Sequence, residues 1–297
     1  MSGYLSDDFY YENDNNISTV NTVLIEASAI LKEVECLTSE LDARILLEHC
    51  LGLTTEKLFS SKDRILSSSE QKNFDDLIER RKNREPVAQI IGRRSFWKEE
   101  FKTTCDTLDP RPDSETLIES VLKFFPDKTA SLKILDLGTG TGCLLLSLLG
   151  EYKSAVGTGA DISEKALSVA KENASALGFK NRSEFIISDW GNSVKGKFDI
   201  IICNPPYIKH KDIKNLMPEV YNYDPHIALD GGNSGLDAYQ KIIPQLLNLP
   251  NKNGVAFLEI GQNQENDISQ IIQENGFSIA AMERDLGGII RCLVVNR

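Results

Sequence analysis

Nowhere in the 297 residues does an apolar run approach the ~20 residues that a membrane-crossing helix needs. The stretch Met1 to Asn16 is acidic and rich in Asp, Asn and Tyr. It has no basic n-region, no apolar h-region and no Arg-rich, acid-poor character, so a disordered tail over 1–17 is expected rather than a targeting segment. Six cysteines, Cys36, Cys50, Cys105, Cys143, Cys203 and Cys292, are scattered without a Cys-x-x-Cys pair, and the three histidines do not cluster. That spacing argues against a zinc site and a disulfide framework, so no metal is expected. Buried, reduced thiols in a cytoplasmic protein are the expected state. Positive charge is also short: 33 Lys and Arg stand against 44 Asp and Glu, a net charge of −11. General affinity for nucleic acid rests on neutralising phosphates with cations, and this chain lacks that balance. A local exception runs from Arg80 to Lys102, with Arg80, Arg81, Lys82, Arg84, Arg93, Arg94, Lys98 and Lys102 against Glu85, Glu99 and Glu100. It reads either as a solvated face or as a basic rim that receives a partner. Repeats and low-complexity tracts are missing as well.

What is present is enough for one large and one small domain, with 41% hydrophobic residues to fill their cores. Residues 18–85 read as a bundle of about four helices. Val23, Leu24, Ala27, Ile30, Leu31 and Val34 recur at helical spacing. Thr38 is a candidate N-cap for a second helix that packs Leu41, Ile45, Leu46 and Cys50 and stops at Gly52. Thr55 begins a short third helix, and Ser69 is read as the cap of a fourth that faces Phe74, Leu77 and Ile78 inward. His49 reads as structural, on the packed face. Residues 86–110 read as a β-hairpin linker, turning at Phe96-Trp97. From 111 to 297 strands and helices alternate, as in a parallel sheet covered on both faces. The last two strands, Phe277 to Met282 and Ile289 to Val295, are read as an antiparallel pair.

The chemistry is concentrated at the ends of four predicted strands. Ile134 to Leu137 runs into Gly138-Thr139-Gly140-Thr141-Gly142, and glycine lets a backbone turn sharply and approach a ligand. Asp136, two residues before the first glycine, would repel a pyrophosphate and suits an ammonium. Asp161 ends the next strand, where a ribose-binding carboxylate is expected. Asp189-Trp190 ends the third, an acid to meet an adenine amino group and a ring to cover it. After Phe198 to Cys203 comes Asn204-Pro205-Pro206-Tyr207. Its Asn oxygen and first Pro carbonyl are acceptors held by two fixed φ angles, aimed at a planar –NH2 group, with a Tyr face to stack on it. His210 and His226 look peripheral.

These motifs resemble a class I S-adenosylmethionine-dependent methyltransferase, and the Asn-Pro-Pro-Tyr version occurs in enzymes that methylate exocyclic or amide nitrogens. Further segments are similar to the release factor glutamine methyltransferase family (HemK/PrmC). They are Pro86 to Gly92 with Ser95-Phe96-Trp97, Asp109-Pro110-Arg111-Pro112-Asp113-Ser114-Glu115, and Glu219-Val220 with Asp224-Pro225. Ala228 to Gly232, Gly235 to Asp237, Glu259 to Gln262 and Asp285 to Arg291 complete the set. The resemblance covers roughly residues 20 to 297. Ser114 departs from it, since the family usually has Thr there.

The resemblance implies an α/β fold: a Rossmann-like, seven-stranded sheet with a reversed final strand, preceded by a small helical substrate-binding domain. It implies S-adenosyl-L-methionine as cofactor, held by Asp136, Gly138, Thr139, Gly140, Thr141, Gly142, Asp161, Asp189, Trp190 and Asn204. Asn204, Pro205, Pro206 and Tyr207 are the implied catalytic and substrate-binding residues, with Arg111 added for substrate. The implied substrate is the Gln of the Gly-Gly-Gln motif of a peptide chain release factor, methylated at N5 by a cytoplasmic monomer that binds no nucleic acid stably. A DNA or RNA adenine N6-methyltransferase is the alternative, because the same turn can hold an extruded base.

Overall fold

The structure is a computed structural model that describes residues 18–297; the tail expected over 1–17 lies outside the described residues. It divides into two compact units with the boundary after Val87. The first holds α1 (Val20–Glu33), α2 (Ser39–Leu51), α3 (Thr55–Ser60) and α4 (Ser68–Lys82). Val20, Val23, Ala27 and Leu31 form the buried stripe of α1. Gly52 ends α2 in the left-handed conformation, where a residue without Cβ is unstrained.

Three readings of this unit shift. The buried face of α2 is Asp42, Ala43, Leu46 and Leu47, while Leu41 is exposed and Ile45 and Cys50 are half-buried. The reason is polar: Asp42 is drawn inward to meet Arg81 of α4 at 2.7 Å and also accepts from the Thr38 hydroxyl at 2.8 Å. The cap of α4 is Ser67 rather than Ser69, because Glu70, three residues on, closes a capping box with it. His49 is exposed, on the solvent side of α2.

The larger unit starts at Ala88, one residue into α5 (Val87–Ile91), a short helix where an extended strand was expected. Five residues, four of them apolar, carry no decisive periodicity, and Pro86 just before them suits a helix start. A hairpin of β1 (Arg93–Phe96) and β2 (Glu99–Lys102) follows. It is packed into this unit. Phe96 and Phe101 enter the core, the Trp97 amide donates to Glu115 at 2.7 Å, and the Trp97 indole donates to Glu151 at 2.9 Å.

Then come α6 (Glu115–Phe124), β3 (Lys133–Leu137), α7 (Cys143–Glu151), β4 (Val156–Asp161), α8 (Glu164–Ala176), β5 (Ser183–Ile187), β6 (Phe198–Cys203), α9 (Pro218–Tyr223), α10 (Asp237–Gln245), β7 (Pro250–Glu259), α11 (Glu265–Glu274), β8 (Ser278–Arg284) and β9 (Ile290–Asn296). The seven-stranded sheet has the order β5-β4-β3-β6-β7-β9-β8, all parallel except β9, which runs antiparallel to both its neighbours. Alternation along each strand serves two cores. Ile134, Ile200, Ile202 and Phe257 pack with α6 and α7, whereas Leu135, Ile201, Cys203 and Leu258 pack with α10 and α11. Burial on both faces explains why inner strands such as β3, β6 and β9 read as apolar runs, whereas the edge strands β5 and β8 are partly exposed.

Among the described residues no helix is long and apolar enough to cross a membrane. None of the six cysteines is in a disulfide, and only Cys36, Cys203 and Cys292 are buried; Cys105 is exposed. The basic stretch is largely paired. Arg80 meets Glu85 at 2.5 Å, Lys82 meets Glu79 at 3.2 Å, Arg93 meets Glu100 at 3.1 Å, and Lys102 meets Glu172 at 2.6 Å. Lys98 meets Glu151. Neutralised in this way, it reads as a solvated face.

Candidate active site

Register places the site. Leu137 of β3 is level with Ala160 of β4 and Cys203 of β6, and Cys203 is level with Leu258 of β7. Gly138, Asp161, Asn204 and Glu259 therefore leave the sheet side by side. Strands β3 and β6 are neighbours at the point where chain order reverses, and open α/β sheets bind ligands outside the carboxyl ends of strands at such a point. A cavity of about 540 Å³ lies there, lined by Gly138, Gly140, Asp161, Asp189, Trp190, Asn204 and Pro206 among the residues singled out in the sequence. That volume is in the range of small-molecule sites.

The glycine loop is held by its backbone. Gly138 and Thr139 amides both donate to the Ala160 carbonyl, at 2.8 and 3.0 Å. Asn173 of α8 donates to the Thr141 carbonyl at 2.9 Å. Gly138 has φ +74, and a Cβ there would lie 3.2 Å from the Trp190 ring. Gly140 has φ +54, and a Cβ there would meet nothing within 4 Å. Asp161 accepts from the Gly140 amide and the Ser163 amide, each at 2.9 Å. Trp190 holds its ring over the loop from a left-handed φ of +54, rare for a residue with a side chain.

Asp136, Thr139, Thr141 and Gly142 do not line the cavity. They lie one layer behind, where the Thr139 hydroxyl donates to Asp136 at 2.7 Å. Burial pushes the Asp136 carboxyl up to about 7, against that hydrogen bond. Its Oδ1 has no hydrogen-bond partner among the described residues. The donor set suits a ligand with an ammonium, a diol and a flat ring: a buried carboxyl short of a partner, a carboxylate at the rim, and an aromatic face beside open glycine backbone. S-adenosyl-L-methionine has all three groups.

The Asn-Pro-Pro-Tyr turn is clamped instead. A Cβ on Gly231 would lie 2.9 Å from the Pro206 carbonyl oxygen, one on Gly235 2.6 Å from the Tyr207 carbonyl oxygen, and one on Gly261 2.9 Å from the Tyr207 ring. Gln264 donates to the Tyr207 carbonyl at 3.1 Å and to the Gly235 carbonyl at 3.2 Å, while it accepts from the Gly261 amide at 3.0 Å. Three separate sequence motifs thus become the walls of a fourth. Pro205, buried, and Tyr207, half-buried, are not among the residues that line the cavity itself.

The Asn204 side-chain NH2 donates to the Ser114 hydroxyl at 2.9 Å. Ser114 belongs to a short 3-10 turn, Pro112–Ser114, anchored by Arg291 of β9 on Asp113 at 3.1 Å. Arg111 also has a partner within the protein, the buried Asp224 at 2.5 Å, and does not line the cavity. Burial pushes Asp224 up to about 6 despite that cation.

Several wall residues were not singled out in the sequence: Asp106, Thr107 and Leu108 from the segment after the hairpin, Ile162 and Ser163 after β4, Ile227, and Lys241; Pro225 and Ala228 were noted there only within family motifs. His226, read as peripheral, lines the cavity, with its Nε2 2.8 Å from the Tyr221 carbonyl. His210 is exposed and meets Asp230 at 2.6 Å. Among the described residues no cluster of side chains is arranged to hold a metal.

Comparison with known proteins decides the family. Residues 22–92 match the family described as PrmC N-terminal domain, and residues 112–226 match the methyltransferase small domain. A release factor glutamine methyltransferase of Rhodospirillum rubrum is 43% identical over 86% of this chain and 78% of its own length. One from Bradyrhizobium diazoefficiens is 39% identical over 91% of this chain and 92% of its own. The chain belongs to the release factor glutamine methyltransferase family. It is a methyltransferase by that membership, and its sheet is that of class I enzymes. The hMettl16 catalytic domain, solved in complex with MAT2A 3′UTR hairpin 6, shares the fold with a TM-score of 0.52. It is 15% identical and aligns over 66% of this chain and 74% of its own.

Proposed function

We propose that this protein methylates the side-chain amide nitrogen, N5, of the Gln in the Gly-Gly-Gln motif of peptide chain release factors, with S-adenosyl-L-methionine as methyl donor. The observation that carries this is the Asn-Pro-Pro-Tyr turn. It is fixed at the switch point of the sheet, with Asn204 in the cavity wall. Family membership supports the choice of substrate.

An amide nitrogen is a poor nucleophile because its lone pair is delocalised into the carbonyl. When bound, the donor supplies a strongly electrophilic methyl group on a sulfonium. The residues of this chain then have to orient and polarise the amide. Asn204 Oδ1 accepts one N–H of the substrate and the Pro205 carbonyl the other. Both acceptors push density onto nitrogen and favour the positive charge that develops there. Tyr207 backs the flat amide. On the donor side, Asp161 takes the ribose hydroxyls, Asp189 the adenine amino group, Trp190 the ring and Asp136 the ammonium. Gly138 to Gly142 give close backbone approach. We assign the N-terminal helical unit to release-factor binding, and the protein to the cytoplasm as a monomer.

The test is transfer of radiolabelled methyl to intact release factor and to duplex DNA, side by side. Label in the release factor is expected. Label in DNA adenine with none in the protein would instead favour the adenine N6 reading.

A further inference from the structure

The hairpin strand β2 has a single neighbour, β1, so every second residue turns its backbone N–H and C=O away from the ladder. At Lys102 these outward groups meet one side chain, Asn173 of α8. Its Oδ1 accepts from the Lys102 amide at 2.8 Å, and its Nδ2 donates to the Lys102 carbonyl at 3.1 Å. The same Nδ2 donates to the Thr141 carbonyl of the glycine loop at 2.9 Å. The orientation of this amide has no alternative. A half-turn about χ2 would set NH2 against an N–H and oxygen against two carbonyls.

Both tethered segments run into the cavity wall. Thr141 follows Gly140, which lines the cavity. Lys102 leads into a compact turn. There the Thr107 amide and hydroxyl donate to the Thr104 carbonyl at 3.1 and 3.2 Å, and the Asp106 amide donates to the Thr104 hydroxyl at 3.2 Å. Asp106, Thr107 and Leu108 of that segment line the cavity. A turn bonded to itself moves with the strand end that carries it. Asn173 is 2% exposed and does not line the cavity, while Ala166, Leu167, Val169, Ala170 and Ala174 fill the rest of the buried face of α8. An amide among such neighbours costs free energy unless its partners are met, and here all three bonds serve the two segments.

We propose that Asn173 is a positioning residue that sets the spacing between the glycine loop and the 106–108 segment, so that affinity for the methyl donor depends on a side chain outside the cavity. This rests on the reading of the cavity as the S-adenosyl-L-methionine site. The coupling is reciprocal. A donor that steadies the Thr141 loop also steadies Asn173, and with it the Lys102 amide, which opens to solvent less often.

The test uses the full chain, with S-adenosyl-L-methionine as the probe in calorimetry and in amide hydrogen exchange. Asn173→Ala removes all three bonds, and Asn173→Asp keeps the acceptor for Lys102 but loses both donors. Each is expected to weaken donor binding about tenfold, the scale of one hydrogen bond lost. In methyl transfer to intact release factor, KM for the donor rises by the same factor, while kcat at saturating donor stays close to wild type. Val169→Ala, on the same helix with no polar group to lose, lowers the melting temperature and leaves donor affinity unchanged. In the wild type, donor slows exchange of the Lys102 amide, and in Asn173→Ala that slowing is gone. Unchanged donor affinity in either Asn173 variant, an equal loss in Val169→Ala, or a bound donor that leaves the wild-type Lys102 amide exchanging as before would each overturn the proposal. The exchange measurement needs no variant, so it decides if neither Asn173 variant folds. A wild-type chain that binds no S-adenosyl-L-methionine ends the donor reading as well. Wild-type binding matched by the variants ends the positioning inference alone.

Discussion

The two walls of the cavity are built on different principles. The glycine loop after β3 holds its shape through backbone hydrogen bonds and leaves space at Gly140, where a side chain would touch nothing. The turn after β6 has no such space: Gly231, Gly235, Gly261 and Gln264 press on its carbonyls and its Tyr ring. One wall is glycine backbone with room beside Gly140. The other is packed tightly within the protein, and in the proposed reaction it supplies the acceptors. Pre-set dipoles need no reorganisation as charge develops, so rigidity belongs on the side where nitrogen becomes positive. Damage to the turn should therefore show in rate, and damage to the loop in affinity.

The largest expected effect is Asn204→Ala. Loss of one transition-state hydrogen-bonding group typically slows turnover ~10²–10³-fold. Donor affinity and melting temperature should stay close to wild type, as calorimetry and thermal melts would reveal. A large loss of donor affinity with turnover intact would reverse the roles assigned to the two walls.

Two glycines sharpen the contrast. Gly235→Ala drives a Cβ to 2.6 Å from the Tyr207 carbonyl oxygen at φ +79. It should destabilise the fold by ~1–3 kcal/mol and lower kcat as the turn shifts. Gly140→Ala meets no atom, so only the strain of φ +54, ~1 kcal/mol, is added, and donor affinity should suffer more than kcat. Equal kcat losses from both would erase the distinction.

Asp161→Ala should weaken S-adenosyl-L-methionine by ~1–3 kcal/mol, the scale of hydrogen bonds to a charged group. The variant also frees the Gly140 and Ser163 amides that Asp161 now holds. Calorimetry reads this directly, and unchanged affinity would remove Asp161 from the site.

Glu259 gives a smaller, pH-dependent effect. Burial raises its carboxyl from the ordinary 4.5 to about 7, against the Ser114 hydroxyl, the Arg291 charge and the Tyr207 hydroxyl. Between those values the folded protein keeps a proton that the unfolded chain has released. Its contribution to stability therefore falls as pH rises from 4.5 through about 7, and changes no further above. Melts across that window should show a shallower decline for Glu259→Gln than for wild type. Parallel curves would mean that Glu259 does not titrate there.

The smallest effect is expected at Arg93→Ala. Its pair with Glu100 has both side chains about half exposed, at 49% and 53%. Such pairs contribute ~0–1 kcal/mol. Methyl transfer to release factor should be unchanged, and a tenfold rise in KM would bring back the basic rim.

Much of the fold was legible because the strands are buried on both faces. Ile200-Ile201-Ile202 cannot be mistaken for a surface segment, and a polar or glycine-rich end on each run marked where the site opens. The Asn204 turn and Asp161 were visible for the same reason. Less visible were residues whose place depends on distant partners. Asp42 was not among the residues read as packed, because only its pair with the distant Arg81 draws it inward, and that pair rotates α2 by one position. Val87 to Ile91 is too short for its periodicity to separate helix from strand. Leu108, Ile227 and Lys241 reach the cavity only because two loop segments and the helix α10 converge at one end of the sheet. No local pattern records such convergence. The glycines at 231, 235 and 261 were seen as family motifs, but their task of leaving room for the turn appears only in three dimensions.

The central claim is that this cavity presents fixed acceptors to the planar amide of a glutamine. Tandem mass spectrometry of intact release factor, after incubation with the full chain and S-adenosyl-L-methionine, tests it most directly. A single added methyl on the side-chain nitrogen of the Gly-Gly-Gln glutamine is the expected result. An unmodified glutamine, or a methyl placed on any other residue, would contradict it.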